Sequence, residues 1–324
     1  MLTYELPSQL VAVLLLLVMP PDYIWQTFMT HHYVVSHGIR DVVARLSGQI
    51  PASQIHLGAP TTALLPDHHA SGRVVVACGA GEGLALHAGF DHVILATQAN
   101  HAAPLVAAYA RALEQRQAVE AVEAGAACAS RLSACLSQFE YRKTVVVNHT
   151  DDRLLPENHS DRRDLNFVAL TSSLGAGLDV KLAAGAAEPS GLLLPPTYTM
   201  TTHVLPRPDG RAPGVAILQT TNPIIAPHPE SVLSVARLER ALLTHASKAA
   251  VRSLCAEKDD GVSVGALQGA ARRKHGSSAA GLWVVGAYAY GGIPLLEGCV
   301  ASAREIAERG VLCCEGASVH DSPW

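Results

Sequence analysis

Residues 90–97 read Phe-Asp-His-Val-Ile-Leu-Ala-Thr, and residues 281–286 read Gly-Leu-Trp-Val-Val-Gly. Each is a short apolar run closed by small residues. A strand that is apolar on both faces has no side to turn to water, so it belongs inside a parallel sheet covered by helices. The two runs therefore point to an α/β core. Val74 to Cys78 (VVVAC) adds a β-branched strand, followed by a turn at Gly79 to Gly83. Residues 53–65 suggest one or two short strands, and Arg40 to Leu46 a short amphipathic helix.

Between the two apolar runs the pattern changes. Pro104 to Glu123 is Ala-rich and predicts a helix, with the proline in its first turn. Ala and Gly in 124–134 suggest a soft boundary. Tyr141 to Asn148, Asp164 to Leu170, Tyr198 to Leu205 and Val215 to Thr221 are β-branched or alternating, with Pro, Gly, Asp and Asn between them. This predicts an antiparallel sheet inserted between pieces of the α/β domain. Ser231 to Ala250 reads as a helix, and Leu295 to Arg309 as the last helix.

Composition narrows the class. Of 324 residues, 49% are hydrophobic and 16% charged, which excludes a disordered or collagen-like chain. The net charge is −4 and no basic stripe exists, which argues against nucleic acid as a partner. Seven cysteines without a C-x-x-C spacing suggest reduced thiols, neither a disulfide framework nor a zinc site, and a cytoplasmic location. The adjacent pairs His31-His32 and His68-His69 lack Cys or carboxylate at ligand spacing, so no metal is expected. Leu10 to Met19 is apolar but too short for a bilayer, which needs about 20 residues. It reads as a buried helix, with a membrane-associated hairpin as the alternative. Arg272-Arg273-Lys274-His275 reads as a solvated loop.

Three segments could carry chemistry. Val74 to Gly83 resembles a strand leading into Gly-x-Gly, but only residues 81–89 separate Gly81 from the next strand. That is too short for a crossover helix, so a tight hairpin is expected. Phe90 to Thr97 ends in small residues that would let backbone lie close to a ligand. Trp283-Val284-Val285-Gly286-Ala287-Tyr288 leads through Gly291-Gly292 into Leu296-Glu297-Gly298-Cys299 and a helix. Backbone N–H groups and the helix dipole could there meet an anionic or electron-rich group. His149 and Asp151, two residues apart, would share one face of a strand and could take a proton, or form an ordinary surface pair.

Taken together, these segments resemble the flavin-containing amine oxidoreductase superfamily, and more closely its branch of NAD/FAD-binding dehydrogenase-like proteins. The likeness extends to His37-Gly38-Ile39-Arg40, Asn148-His149-Thr150-Asp151, Leu165-Asn166-Phe167, Tyr198-Thr199-Met200 and Gln219-Thr220-Thr221-Asn222-Pro223. It implies FAD as cofactor and a small or lipid-like substrate that gives up a hydride. It places Gly286, Ala287 and Tyr288 beside the pyrophosphate and ribitol. Leu296, Glu297, Gly298 and Cys299 would meet the flavin's pyrimidine edge, and Thr61 and Thr97 the adenosine half. His149, Asp151 and Asn166 would be the catalytic side chains facing the ring. The family's opening strand and G-x-G-x-x-G are not found in this sequence, so a truncated glutathione-reductase-like FAD/NAD(P)-binding fold is expected. Residues 37–106 and 280–324 would form that domain, and residues 1–36 and 107–279 the substrate domain. The alternative is a non-catalytic remnant that binds or scaffolds.

Overall fold

The computed structural model describes residues 38–116, 120–168, 200–205, 215–258, 261–291 and 296–317. The expected apolar helix at 10–19 and the His31-His32 pair lie outside them. Along the chain come α1 (Gly38–Ser47), β1 (Thr61–Pro66), β2 (Val74–Cys78), β3 (Ala85–Phe90) and β4 (His92–Leu95). Next are α2 (Ala99–Glu114), α3 (Glu120–Leu136), β5 (Tyr141–His149), β6 (Leu165–Val168), β7 (Met200–Val204), β8 (Leu218–Thr221) and β9 (Val232–Ala241). Then follow α4 (His245–Leu254), β10 (Cys255–Lys258), β11 (Gly261–Val264), α5 (Ala270–His275), β12 (Gly281–Val284) and α6 (Leu296–Glu305), which runs on as a π-helix over Ile306–Leu312.

The chain is a mixture of helix and sheet that divides into two compact units. Residues 40–141 and 241–324 make the larger, and residues 142–240 belong to the smaller. The helical residues 107–136 and the segment 241–279 fall with the apolar strands, where the sequence reading sets them in a substrate domain.

In the larger unit, β4 and β12 pair in parallel, with Gly281 opposite His92 and Val284 opposite Leu95. This is the parallel geometry that the two apolar runs require. All four residues of β12 are buried. Its other edge is closed by a side chain: the Gln268 amide donates to the Val284 carbonyl at 2.8 Å and accepts the Val284 N–H at 2.8 Å. Helices α2 and α3 cover the core with Ala102, Val106, Ala110, Ala126, Ala129 and Leu132. Small side chains let two helices approach closely, so the Ala-rich composition here encodes packing as well as propensity. Ser133 of α3 donates to the Ala103 carbonyl of α2 at 3.0 Å. Strands β1, β2 and β3 form an antiparallel meander, so Gly79 to Gly83 is the expected turn and not a phosphate loop.

The smaller unit is one five-stranded sheet in the order β6-β7-β8-β5-β9. Its described pairings β6–β7, β7–β8 and β8–β5 are antiparallel, as expected.

Four local expectations are corrected. Residues 124–134 lie within α3 and form no boundary. Ser231 to Ala250 is not one helix: β9 comes first, because β-branched Val232 and Val235 favour extended backbone, and Thr244 then caps α4 through a reciprocal bond with Ser247. The apolar run 90–97 breaks at Asp91, where Arg73 and Arg272 reach its carboxylate. The basic run 272–275 is helical, and Arg272 is buried, donating to Glu315 at 2.7 Å.

Candidate functional site

The sequence-expected residues fall into two groups, one in each unit. In the smaller unit, His149 ends β5, and its imidazole is wholly buried. The Asp151 backbone N–H donates to His149 Nδ1 at 3.1 Å. A backbone N–H can only donate, so Nδ1 is the acceptor and Nε2 carries the ring proton. Nε2 then donates to Thr220 Oγ1 at 2.7 Å, and Thr220 Oγ1 lies 2.8 Å from Thr202 Oγ1. Burial holds the His149 pKa below its ordinary value, although the nearby Asp151 charge pulls the other way. The ring is therefore a neutral imidazole of fixed tautomer.

Asp151 does not share a strand face with His149. It lies beyond the end of β5 and caps a short 3₁₀ turn at Asp152–Leu154. Its carboxylate accepts from Arg153 Nε at 2.9 Å and from the His228 backbone N–H at 2.7 Å. The Arg153 bond, with the backbone donors, holds it well below the usual carboxylate range. Both residues are buried, so the surface-pair alternative does not describe them. Asn166 on β6 joins the same group. Its amide donates to the Arg163 carbonyl at 2.6 Å and toward the Thr202 carbonyl at 3.4 Å, while its oxygen accepts the Arg163 N–H at 3.0 Å. The structure thus brings His149, Asp151 and Asn166 into one network. Thr202 and Thr220 complete it and were missed from sequence. The available signal was a polar residue at the inward position of two adjacent strands.

In the larger unit, the chain leaves β12 at Gly286, whose φ is +140°. Its N–H donates to Ser302 Oγ of α6 at 3.0 Å, and the same hydroxyl reaches the Gly286 carbonyl at 3.3 Å. Ser302 is buried and ties the strand exit to the helix, another residue that sequence reading missed. Ala287 and Tyr288 lie in a 3₁₀ turn. Tyr288 donates to the Thr97 carbonyl at 3.0 Å and packs edge-on to Phe139, with centroids 5.1 Å apart. Burial pushes its phenol pKa up, so it keeps its proton. The ends of β4 and β12 are joined by this tyrosine.

At the start of α6, Leu296 and Glu297 are exposed, Cys299 is half-buried and Gly298 is buried. A Cβ at Gly298 would come within 3.3 Å of the Tyr290 ring, and one at Gly286 within 3.3 Å of the Tyr288 ring. The space that these glycines free is taken by the chain's own tyrosines. Thr61 opens β1, exposed, with its hydroxyl 3.9 Å from the Cys78 thiol. Thr97 is exposed. A cavity within the larger unit, of about 30 Å³, is lined by none of these residues. Among the described residues, no group of His, Cys, Asp or Glu is placed to hold a metal ion, and no helix is long and apolar enough to cross a membrane.

With this geometry in hand, comparison with known proteins gives one family. Residues 11–154 match the family described as flavin containing amine oxidoreductase. Over that stretch the chain is similar to flavin-containing amine oxidoreductases. The match takes in β1 to β5, including Thr61, Thr97, His149 and Asp151, and covers less than half of the chain. It bears out the family resemblance read from the sequence and, with it, FAD as the cofactor and a small molecule as the substrate class. No curated protein matches the chain.

Proposed function

We propose that this chain is an FAD-dependent oxidoreductase of the amine-oxidase-like class, transferring a hydride from a small or lipid-like substrate to the flavin. The observation that carries the reading is the parallel β4–β12 pair, whose carboxyl ends run into exposed Thr97 and the Gly286 turn. In open α/β sheets, ligands bind beyond the carboxyl ends of parallel strands. The exposed start of α6 adds backbone N–H groups and the positive end of a helix dipole. The fit is best at Thr97, Leu296 and Glu297, where the chain is open, and poorest at Gly286 and Gly298, where Tyr288 and Tyr290 fill the space. Thr61 would lie toward the adenosine end, and Cys299 beside the helix start. The glutathione-reductase-like arrangement rests on the same strand pair.

FAD, when bound, supplies the hydride acceptor. The chain's own contribution is positional. Ser302 holds the Gly286 turn, and Tyr288 holds the end of β4. In the smaller unit, neutral His149 could accept a proton at Nδ1 only by giving up the Asp151 N–H, and Asp151 and Asn166 have their oxygens engaged. That engagement favours a second reading, in which the same fold binds or scaffolds without catalysis.

The experiment is direct. Purified protein should keep flavin absorbance bands after desalting, or quench added FAD fluorescence saturably. Colourless protein that leaves FAD fluorescence unchanged would refute the first reading. Flavin that is bound but never reduced by any amine would favour the second.

A further inference from the structure

Strand β9 (Val232–Ala241) is the last strand of the five-stranded sheet, and among the described residues no strand pairs with its outer edge. Every residue from Leu233 to Leu238 is exposed, so neither face of the strand is covered there. Its inner side is fixed. The Thr150 N–H donates to the Ser231 carbonyl at 3.0 Å just before the strand, and the Leu242 N–H donates to the Glu140 carbonyl at 2.8 Å just after it. Between them, the Asn148 amide of β5 donates to Ser234 Oγ at 2.9 Å. An edge held in this way presents an ordered row of N–H and C=O groups to any strand that approaches.

Natural edge strands are kept from pairing by devices such as proline and lysine. Residues 232–241 contain no Pro, Gly or Lys, and their charges alternate in sign through Arg237, Glu239 and Arg240. Leu233, Val235 and Leu238 add exposed apolar side chains, and exposed Leu243 follows just beyond the strand.

The order of residues along β9 is complementary to itself. A two-fold axis normal to the sheet preserves its faces, so residues equally far either side of the axis stand opposite each other in two antiparallel copies. With the axis at Arg237 or at Glu239, that residue meets its own like charge. With the axis at Leu238, Arg237 stands opposite the partner's Glu239, and Glu239 opposite the partner's Arg237. The same register sets Leu238 against the partner's Leu238 and carries exposed Leu233 toward the partner's Leu243. Opposite charges directly across two strands stabilise the pair, and like charges destabilise it. Arg237 and Glu239 also interact within their own chain, and a carboxylate has acceptor sites for more than one N–H donor.

We propose that β9 is a homodimerisation edge, at which a second copy of this chain adds its own β9 antiparallel about a two-fold axis at Leu238. Such a pair uses up both β9 edges, so assembly stops at two. The paired stretch, Val235 to Ala241, is about 20–24 Å long. That is short beside a standard interface of about 1,600 Å², so the dimer forms reversibly at micromolar concentrations. None of the residues placed near the flavin or in the His149 network lies on β9, so this surface stands or falls separately from the oxidoreductase reading.

The test is sedimentation velocity of the full chain from about 1 to about 200 μM. A reversible monomer–dimer equilibrium is expected, with no larger species. Glu239→Arg alone, or Arg237→Glu alone, sets like charges opposite each other at both symmetric positions. Each should weaken the dimer at least about tenfold, with the far-ultraviolet circular dichroism unchanged. An equimolar mixture of the two variants restores opposite charges at both positions and should dimerise as the unaltered chain does. A chain that stays monomeric throughout this range, a dimer that survives Glu239→Arg, single variants that the mixture does not rescue, or a ladder of larger oligomers would each overturn the assignment.

Discussion

Trp283 is fully buried in β12 and sits in a slot built by glycines. A Cβ on Gly269 would come within 2.3 Å of ring atoms Cη2 and Cζ2, and one on Gly310 within 2.7 Å of Cζ3. Gly269 also has φ of +55°, a left-handed backbone that costs a non-glycine residue about 1–2 kcal/mol. Gly269→Ala therefore combines two penalties. Overpacking against a ring that cannot swing aside adds about 1–3 kcal/mol, for a total of about 2–5 kcal/mol. The indole cannot retreat easily, because its N–H donates to His92 Nδ1 at 3.0 Å. Shortening the ring should relieve the clash: Trp283→Phe removes the atoms that the new methyl would strike. By itself that change costs about 1–3 kcal/mol in lost packing and an unpaired His92 nitrogen. Urea unfolding of the four proteins in this cycle, followed by circular dichroism, measures the coupling. The double variant should be less destabilised than the sum of the singles by at least about 1 kcal/mol. If the two costs simply add within about 0.5 kcal/mol, the glycine slot does not exist as described.

Three further outcomes follow from the sites. His149 has a pKa lowered by burial, so its contribution is complete above the unfolded value of about 6.5 and is lost as pH falls through it. The unfolding temperature should fall as the pH drops below about 6.5, and His149→Gln should flatten that slope; equal slopes would count against a neutral buried ring. The depressed Asp151 carboxyl acts in the same direction at lower pH, below about 4, so the two windows separate. Ser302→Ala strands the Gly286 N–H and should cost about 1–3 kcal/mol, read by denaturant unfolding; no loss would mean that water replaces the hydroxyl. Glu297→Arg changes an exposed charge at the start of α6 without touching the Tyr290 contact of Gly298. It should cost about 1 kcal/mol of stability through the helix dipole and alter FAD affinity in fluorescence titration, and identical affinity would move the flavin away from that helix.

Much of this molecule was written in local patterns. The apolar runs ending at Leu95 and Val284 could satisfy their side chains only inside a parallel pair, and the alternating strands from Tyr141 to Thr221 only in an antiparallel sheet. The short spacing after Gly81 excluded a crossover, and a hairpin is what formed. These features depend on neighbours along the chain, so the sequence by itself determined them. It could not determine which distant atoms close each hydrogen bond. Nothing in the order of residues says that Gln268 stands in for a strand beside β12, that Thr220 fixes the His149 tautomer, or that Arg272 leaves its basic run to meet Glu315. Those facts depend on side chains brought together from far along the chain, and only the folded arrangement sets distances and dielectric, and with them which polar groups are paired.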